Sequence, residues 1–366
     1  MGSIESYRLQ SGERKYRARY RDPENQQREK GGFAKKIDAA NYLASITVNS
    51  ARGEYVDPRD GREALANLGS IWLRNQRARL KPSTFRSTDS AWRNHVAPRF
   101  GSVPIARIRP SAVEIWITEL SRDLSPSSVI RAHGILSAVL ELAVRDSRIS
   151  QNPAKGASLP RKAGAPRKYL THQQVELLAG FSGTNQTLVY TLSYTGLRWG
   201  EAIGLRVKDL DGLRRRLLVR VNAVWVGGTV EVGLPKNHQE RSVPYPKFLD
   251  QSLLELTAGK SPESLLFGDG NRYLRPPDSR RGWWVAATRH AQAVDDTFPS
   301  LTRHDLRHTA ASLAVSAGAN IKALQRMLGH ASASMTLDTY AALFDEDLDS
   351  VAERLDRERA RKIVGF

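Results

Sequence analysis

The sequence predicts a multidomain, mainly α-helical protein with small β-sheets, on three observations. Its 366 residues are enough for two or three domains, each with its own core. The hydrophobic period changes along the chain, from strict alternation near the N-terminus to helical spacing over residues 65–149 and a mixed pattern beyond. Two polar stretches carrying Gly and Pro, residues 52–63 and 155–168, interrupt both periods. The expected division is 1–57, 64–154, a linker at 155–168, 169–344 and a C-terminal tail at 345–366.

Composition narrows the function classes. The chain is 40% hydrophobic and 26% charged, as globular proteins are, and it has no cysteine, which excludes disulfides, zinc thiolates and cysteine nucleophiles. The N-terminal MGSIESYRLQSGERKYR lacks the apolar core of a secretion signal. No stretch is read as approaching the ~20 apolar residues of a membrane helix, so a cytoplasmic protein with no membrane partner is expected. The formal charge of +18 points to a polyanion. Residues 61–170 hold 19 Lys+Arg against 7 Asp+Glu, two-thirds of the excess, while the segments on either side are each only +3. A basic surface kept for solubility does not predict that concentration, whereas contact with nucleic acid does.

Residues 7–48 read as a β-hairpin followed by a helix. In Lys15-Tyr16-Arg17-Ala18-Arg19-Tyr20-Arg21, Tyr and Ala alternate with four cations, giving one apolar and one basic face. Asp22 to Asn25 form the turn, and Ala39, Tyr42, Leu43 and Ile46 make a helix stripe that could cover the sheet. A basic strand face suits a β-ribbon in a DNA groove, and equally a charged solvent face. Four helices follow: one marked by Leu65, Leu68 and Trp72, one opened by Pro82, one striped by Val113, Trp116, Ile117 and Leu120, and one opened by Ser125-Pro126 with Val129, Leu136 and Leu140 inward. Arg74, Arg77, Arg79, Lys81, Arg86 and Arg93 give them basic faces for phosphate contact. Residues 155–168 combine Gly, Pro and five cations with no apolar period, fitting a basic tether or a plain loop.

The third region has Thr171 as its first N-cap. A short helix over Leu197 to Leu205 would follow the Thr195-Gly196 turn, with Arg198 in its first turn and Glu201 bracing it by an ion pair. Leu217 to Val226, Gly228 to Val232 and Arg241 to Val243 read as antiparallel strands, placing Lys236 on a turn. Further on, His304 and Arg307 stand three apart on a helix and can face one target, with His308 beside them as packing or support. Ile321, Leu324 and Leu328 stripe the next helix, and Gly329 would end it in the left-handed conformation and fix His330. Tyr340 follows ten residues later. Cations, imidazoles and a phenol gathered in this way suit a phosphodiester, with donors for its oxygens and an oxygen nucleophile for its phosphorus.

T-G-L-R-W-G-E at 195–201, H-x-x-R at His304 and Arg307, L-G-H ending at His330, and Tyr340 together resemble the tyrosine recombinases of the phage-integrase family. GLPKN at 233–237 followed by RSVP at 241–244 is similar to the family's lysine-bearing hairpin. The resemblance implies a mixed α+β catalytic domain behind a helical core-binding domain, with the N-terminal sheet binding separate "arm" sites through Lys15, Arg17, Arg19 and Arg21. It implies a catalytic set of Arg198, Lys236, His304, Arg307 and His330 around the nucleophile Tyr340, with Glu201 and His308 behind them. His304 would be the base and Lys236 the acid for the departing 5′-oxygen. No metal or nucleotide cofactor is implied. The implied partners are double-stranded DNA, a homotetramer formed on it, a host DNA-bending factor and an excision factor. The acidic tail, with Val351, Ala352 and Leu355 at helical spacing, would pack on its own domain or, as the resemblance implies, dock on a neighbouring protomer. The rival readings are a type IB topoisomerase, a resolvase lacking the arm domain, or a DNA-binding regulator with a disabled site.

Overall fold

The computed structural model describes residues 2–23, 25–51, 55–57, 59–162, 167–235, 240–345 and 348–363. The chain divides into two compact units, residues 1–164 and 165–366.

The first unit opens with three antiparallel strands, β1 (Ser3–Arg8), β2 (Arg14–Arg21) and β3 (Gln27–Phe33), with β2 in the centre, followed by α1 (Lys36–Ala51). The expected hairpin is thus a three-stranded sheet. SIESYR was overlooked as a strand because Glu5 breaks its apolar pattern, and in the structure Glu5 turns out to be the partner of β2's cations. The alternation in β2 is as read, with Ala18 and Tyr20 buried. Tyr20, Ile46 of α1 and Tyr55 form a small separate core, with Tyr42 and Leu43 beside it. The opposite face is not a bare row of cations. Arg19 Nη1 lies 2.7 Å from Glu5 Oε1, Arg17 Nη2 lies 3.1 Å from Glu5 Oε2, and both arginines also reach Glu29.

The rest of this unit is a helical bundle of α2 (Leu65–Arg79), α3 (Pro82–Ala91), α4 (Ala97–Phe100), α5 (Pro110–Asp123) and α6 (Pro126–Arg145). Pro82, Pro110 and Pro126 each sit in the first turn of their helix, where the missing N–H costs nothing. A π-turn at Trp92–Val96 joins α3 to α4 and turns Trp92 inward. A Cβ on Gly69 would lie 2.1 Å from the Trp92 ring, so only glycine lets α2 come this close. Contrary to expectation, one segment among the described residues is long and apolar enough to cross a membrane by length and composition, namely the 20-residue α6. Its Val129, Ala132, Ile135, Leu136, Val139, Leu140 and Ala143 form the centre of the bundle core.

The second unit begins with α7 (His172–Gly180), capped as expected by Thr171. Its hydroxyl accepts from the Gln174 N–H, while the Gln174 side chain accepts from the Thr171 N–H. Then come α8 (Gln186–Thr195), α9 (Trp199–Ala202), β4 (Leu210–Asp211), β5 (Arg216–Val219), β6 (Asn222–Val226), β7 (Thr229–Gly233) and β8 (Arg241–Pro244). The expected single strand from Leu217 to Val226 is two strands, since β5 lies between β4 and β8 while β6 pairs only with β7. Helices α10 (Asp250–Glu255), α11 (Trp283–Val294), α12 (Asp305–Ser316), α13 (Ile321–Leu328), α14 (Ala333–Asp345) and α15 (Leu348–Ile363) complete the unit. Its main core gathers Leu178, Leu192, Leu197, Leu217, Val243 and Leu306. A smaller core between α12, α13 and α14 is made of Ala311, Val315, Leu324, Leu328 and Tyr340.

Candidate active site

The candidate site lies in the second unit and draws on the turn between α8 and α9, the start of β8, and helices α12, α13 and α14. Helix α8 ends at Gly196 with φ +65°, and a Cβ there would lie 2.5 Å from Leu328 Cδ2, so glycine permits α13 to approach this turn. Arg198 follows in extended conformation as the N-cap of α9. The expected longer helix with Arg198 in its first turn is a single turn, because glycines at 200 and 204 and the turn at 203–204 let the chain leave early. The expected brace is present: Glu201 Oε1 accepts from Arg198 Nη1 at 2.9 Å and Glu201 Oε2 from the Arg198 N–H at 2.9 Å.

Glu201 also holds Arg241, whose place in a predicted strand carries no sign of this role. Arg241, at the start of β8, meets both carboxylate oxygens, at 3.0 and 2.7 Å. Its Nε also donates to the Met327 carbonyl at 3.3 Å, tying the sheet to the end of α13. Burial alone would raise the Glu201 carboxyl, but the two arginines hold it below the usual carboxylate range. Arg241 meets Glu201 across 40 residues of chain, and sequence spacing does not reveal such a pairing.

Arg307 is 4% exposed. Its Nη1 donates to the Gly196 carbonyl and its Nη2 to the Leu328 carbonyl, both at 2.6 Å, so the guanidinium joins the ends of α8 and α13. Burial, and then the neighbouring Arg198, lower its proton affinity to about 9, which leaves it a cation at neutral pH. His304 is not on the body of the helix with Arg307. It is the exposed N-cap of α12, and its surroundings, followed by the neighbouring Arg307, hold its imidazole below the usual value.

Gly329 ends α13 at φ +64°, as expected, and leaves His330 at the helix end. His330 Nδ1 lies 2.9 Å from Thr336 Oγ1, and its ring is parallel to the Tyr340 ring with centroids 6.3 Å apart. Tyr340 is 1% exposed, and its hydroxyl lies 2.9 Å from His308 Nδ1. His308 therefore touches the phenol rather than merely filling space. The His304 ring stands edge-on to His308 at 5.5 Å, and Arg167 lies 5.6 Å over the Tyr340 ring, a neighbour that nothing in the sequence announced. Burial pushes His308 and His330 down to about 4, with His304 and Arg167 adding to it for the first and Arg307 for the second. Burial raises the Tyr340 phenol, while Arg307 and Arg167 pull against that rise. Arg198, Arg241, Lys322, Arg326 and His330 line one open cleft of about 490 Å³, with Glu240 as its acidic member. Lys236 lies outside the described residues. Among the described residues, no three His, Asp or Glu side chains are grouped to hold a metal ion.

Residues 168–347 match the model of the phage integrase family, and residues 65–121 match the family's N-terminal SAM-like domain. The chain belongs to the phage integrase family. It is a site-specific DNA recombinase, an enzyme of the tyrosine-recombinase type. Among its relatives is the integrase of Mycobacterium phage FRAT1, 29% identical over 343 residues that span 87% of this chain and 98% of that one. Among solved structures, the Tn1549 transposon integrase in complex with transposon right end DNA is 25% identical, with a TM-score of 0.67 over 80% of this chain and 100% of that one. A lambda integrase tetramer bound to a Holliday junction shares the fold at 17% identity, with a TM-score of 0.57 over 89% and 95% of the two chains. In this integrase the ten residues proposed from sequence for DNA contact all lie in the first unit. Arg74, Arg77, Arg79, Lys81, Arg86 and Arg93 are exposed on α2, α3 and their surroundings, while Lys15, Arg17 and Arg19 are half-buried on β2 and Arg21 is exposed at its end.

Proposed function

We propose that this integrase cuts and rejoins DNA through a 3′-phosphotyrosyl ester on Tyr340, exchanging strands between two duplexes by way of a Holliday junction to integrate or excise a phage or mobile element. The observation that carries the reading is the convergence of the Tyr340 hydroxyl, two imidazoles and the Arg307 guanidinium next to a cleft lined by Arg198 and His330. As a phosphodiester is attacked, negative charge grows on its non-bridging oxygens. In this reading Arg198 and His330, which line the cleft, meet it, and Arg307 has donors beyond the two already used on carbonyls. His304, exposed at the head of α12, is a further donor to the phosphate. Lys236 is proposed as the acid for the departing 5′-oxygen. The ester conserves the bond energy, so a 5′-hydroxyl from the partner duplex can reverse the step.

In this reading the exposed cations of the bundle grip the core site. The sheet face with Lys15, Arg17, Arg19 and Arg21 binds arm sites, where phosphates would compete with Glu5 and Glu29 for Arg17 and Arg19. A homotetramer on DNA, a host DNA-bending factor, an excision factor and action inside a bacterial host cell belong to the same proposal. Helix α15, on which Leu355 is 65% exposed, is proposed to dock on a neighbouring protomer.

The test is footprinting on candidate attachment DNA, followed by incubation with a nicked duplex carrying the protected core site. A covalent adduct present in the wild type and absent in Tyr340→Phe, with strands exchanged between two duplexes, supports the proposal. An adduct with relaxation but no exchange points to a topoisomerase. Tight binding with no adduct points to a regulator.

A further inference from the structure

Three histidines surround the nucleophile, and their contacts separate them. The Nδ1 of His330 is engaged by Thr336, and among the described residues no ring nitrogen of His330 is within hydrogen-bond distance of the phenolic oxygen. His304 makes no ring hydrogen bond among the described residues and reaches the phenol only through His308, to which it stands edge-on. His308 alone has a ring nitrogen on the Tyr340 oxygen, at 2.9 Å and within the range for proton transfer.

We propose that His308, rather than His304, accepts the phenolic proton of Tyr340 when the nucleophile is activated. The inference rests on the recombinase reading above and assigns its general base. In the cutting step the Tyr340 O–H bond breaks and its proton moves to His308 Nδ1. The freed electron pair forms the Oη–P bond, the P–O5′ bond breaks, and the 5′-oxygen takes a proton from a separate donor. In rejoining, the 5′-hydroxyl gives its proton back to that separate donor as it attacks, the P–O5′ bond forms, the Oη–P bond breaks, and His308 Nδ1 returns its proton to the phenolic oxygen. No oxidant, reductant or cofactor enters this balance.

The surroundings explain why the transfer waits for substrate. His308 is faced by His304, Asp305 and Arg307 from its own helix and the residue before it, by Tyr340 from α14 and by Arg167 from the segment before α7. Four of these five neighbours are cationic or neutral, and burial is the largest influence, so the ring stays neutral and open as an acceptor at ordinary pH. A DNA phosphate brings the negative charge that makes an imidazolium tolerable here. Proton transfer is thereby coupled to the arrival of the bond to be cut.

The inference can be tested without DNA by nitrogen-15 NMR of histidine-labelled full-length protein. His308 should carry its proton on Nε2 with Nδ1 bare, and the Nδ1 signal should move in Tyr340→Phe. A proton on Nδ1 would overturn the assignment. The second measurement is the rate of adduct formation on the nicked core-site duplex. His308→Gln, which can still accept a hydrogen bond but cannot hold the proton, should be slower by about 100-fold at neutral pH, and the deficit should shrink steadily as pH rises and hydroxide takes over removal of the phenolic proton, which burial holds more tightly than in a free tyrosine. Its gel-shift affinity should match the wild type, which controls for folding. A wild-type rate in His308→Gln, or a pH-recoverable loss in His304→Gln instead, overturns the proposal. Absence of any adduct from the wild type would instead remove the recombinase reading and the base assignment with it.

Discussion

The arginines of the helical bundle and those of the catalytic unit carry the same charge and are held in opposite ways. Arg74, Arg77, Arg79 and Arg86 stand in solvent, and of the bundle cations singled out here only Arg93 has an ion-pair partner among the described residues, Asp89 at 2.6 Å. Arg198, Arg241 and Arg307 are fixed by a buried carboxylate and three backbone carbonyls. A mobile cation can follow an irregular backbone, but it loses about 0.5–1.5 kcal/mol of side-chain freedom when it binds and is screened by salt. A fixed cation has met that cost during folding, and its donors are already aimed where charge develops. Gripping and cutting thus use one residue type under two constraints. The sheet face is intermediate, with Arg17 and Arg19 a third exposed and paired to Glu5 and Glu29.

The sharpest way to break the contrast is Glu201→Gln, which leaves Arg241 buried with half its partner. We expect a loss of about 3–5 kcal/mol in unfolding free energy, read by urea denaturation of the full chain. Unchanged stability would mean the carboxylate does not hold the arginines. Next, Arg307→Lys keeps the charge and loses the fork, so adduct formation should fall by about 10²–10³-fold with little change in gel-shift affinity. On the other side of the comparison, Arg74→Ala, Arg77→Ala and Arg79→Ala together should reduce the slope of log affinity against log salt by up to about 2.7, if each meets one phosphate. Cutting at saturating protein should be unchanged. The smallest effect is in pH. His308 and His330 sit at about 4 in the folded protein, below the ordinary 6.5, so the unfolded chain binds more protons between those values. Stability should be level above pH 6.5 and decline as pH falls from there toward 4. His308→Gln should make that decline shallower in a pH series of melting curves.

Elements with a strong local signature were legible in the sequence. Thr171, Pro82, Pro126 and Gly329 each do what their residue type dictates at a helix end, and the β2 alternation sorted Ala18 and Tyr20 from Arg17 and Arg19. The recombinase motif set was legible for the same reason, being fixed residue types at fixed spacing. What was not legible depends on contacts distant in sequence. Arg241 meets Glu201 across 40 residues and Arg307 meets the Gly196 carbonyl across 111. β1 was hidden because its acid serves a neighbouring strand, and the break between β5 and β6 because a continuous β-prone run does not show which sheet each half joins. Helix periodicity set His304 beside Arg307, whereas the helix starts one residue later and only Arg307 turns inward.

The double duty of Glu201 also orders events in time. The carboxylate leaves the ribosome 40 residues ahead of Arg241, and the Met327 carbonyl that completes the junction follows 86 residues after that. At about 5–20 residues per second, the first interval alone lasts roughly 2–8 seconds. Until Tyr340 has been added, the nascent chain has no assembled cutting centre, while the basic segment over residues 61–170 has already been made. A polypeptide still tethered to its message could therefore find DNA before it is able to nick it.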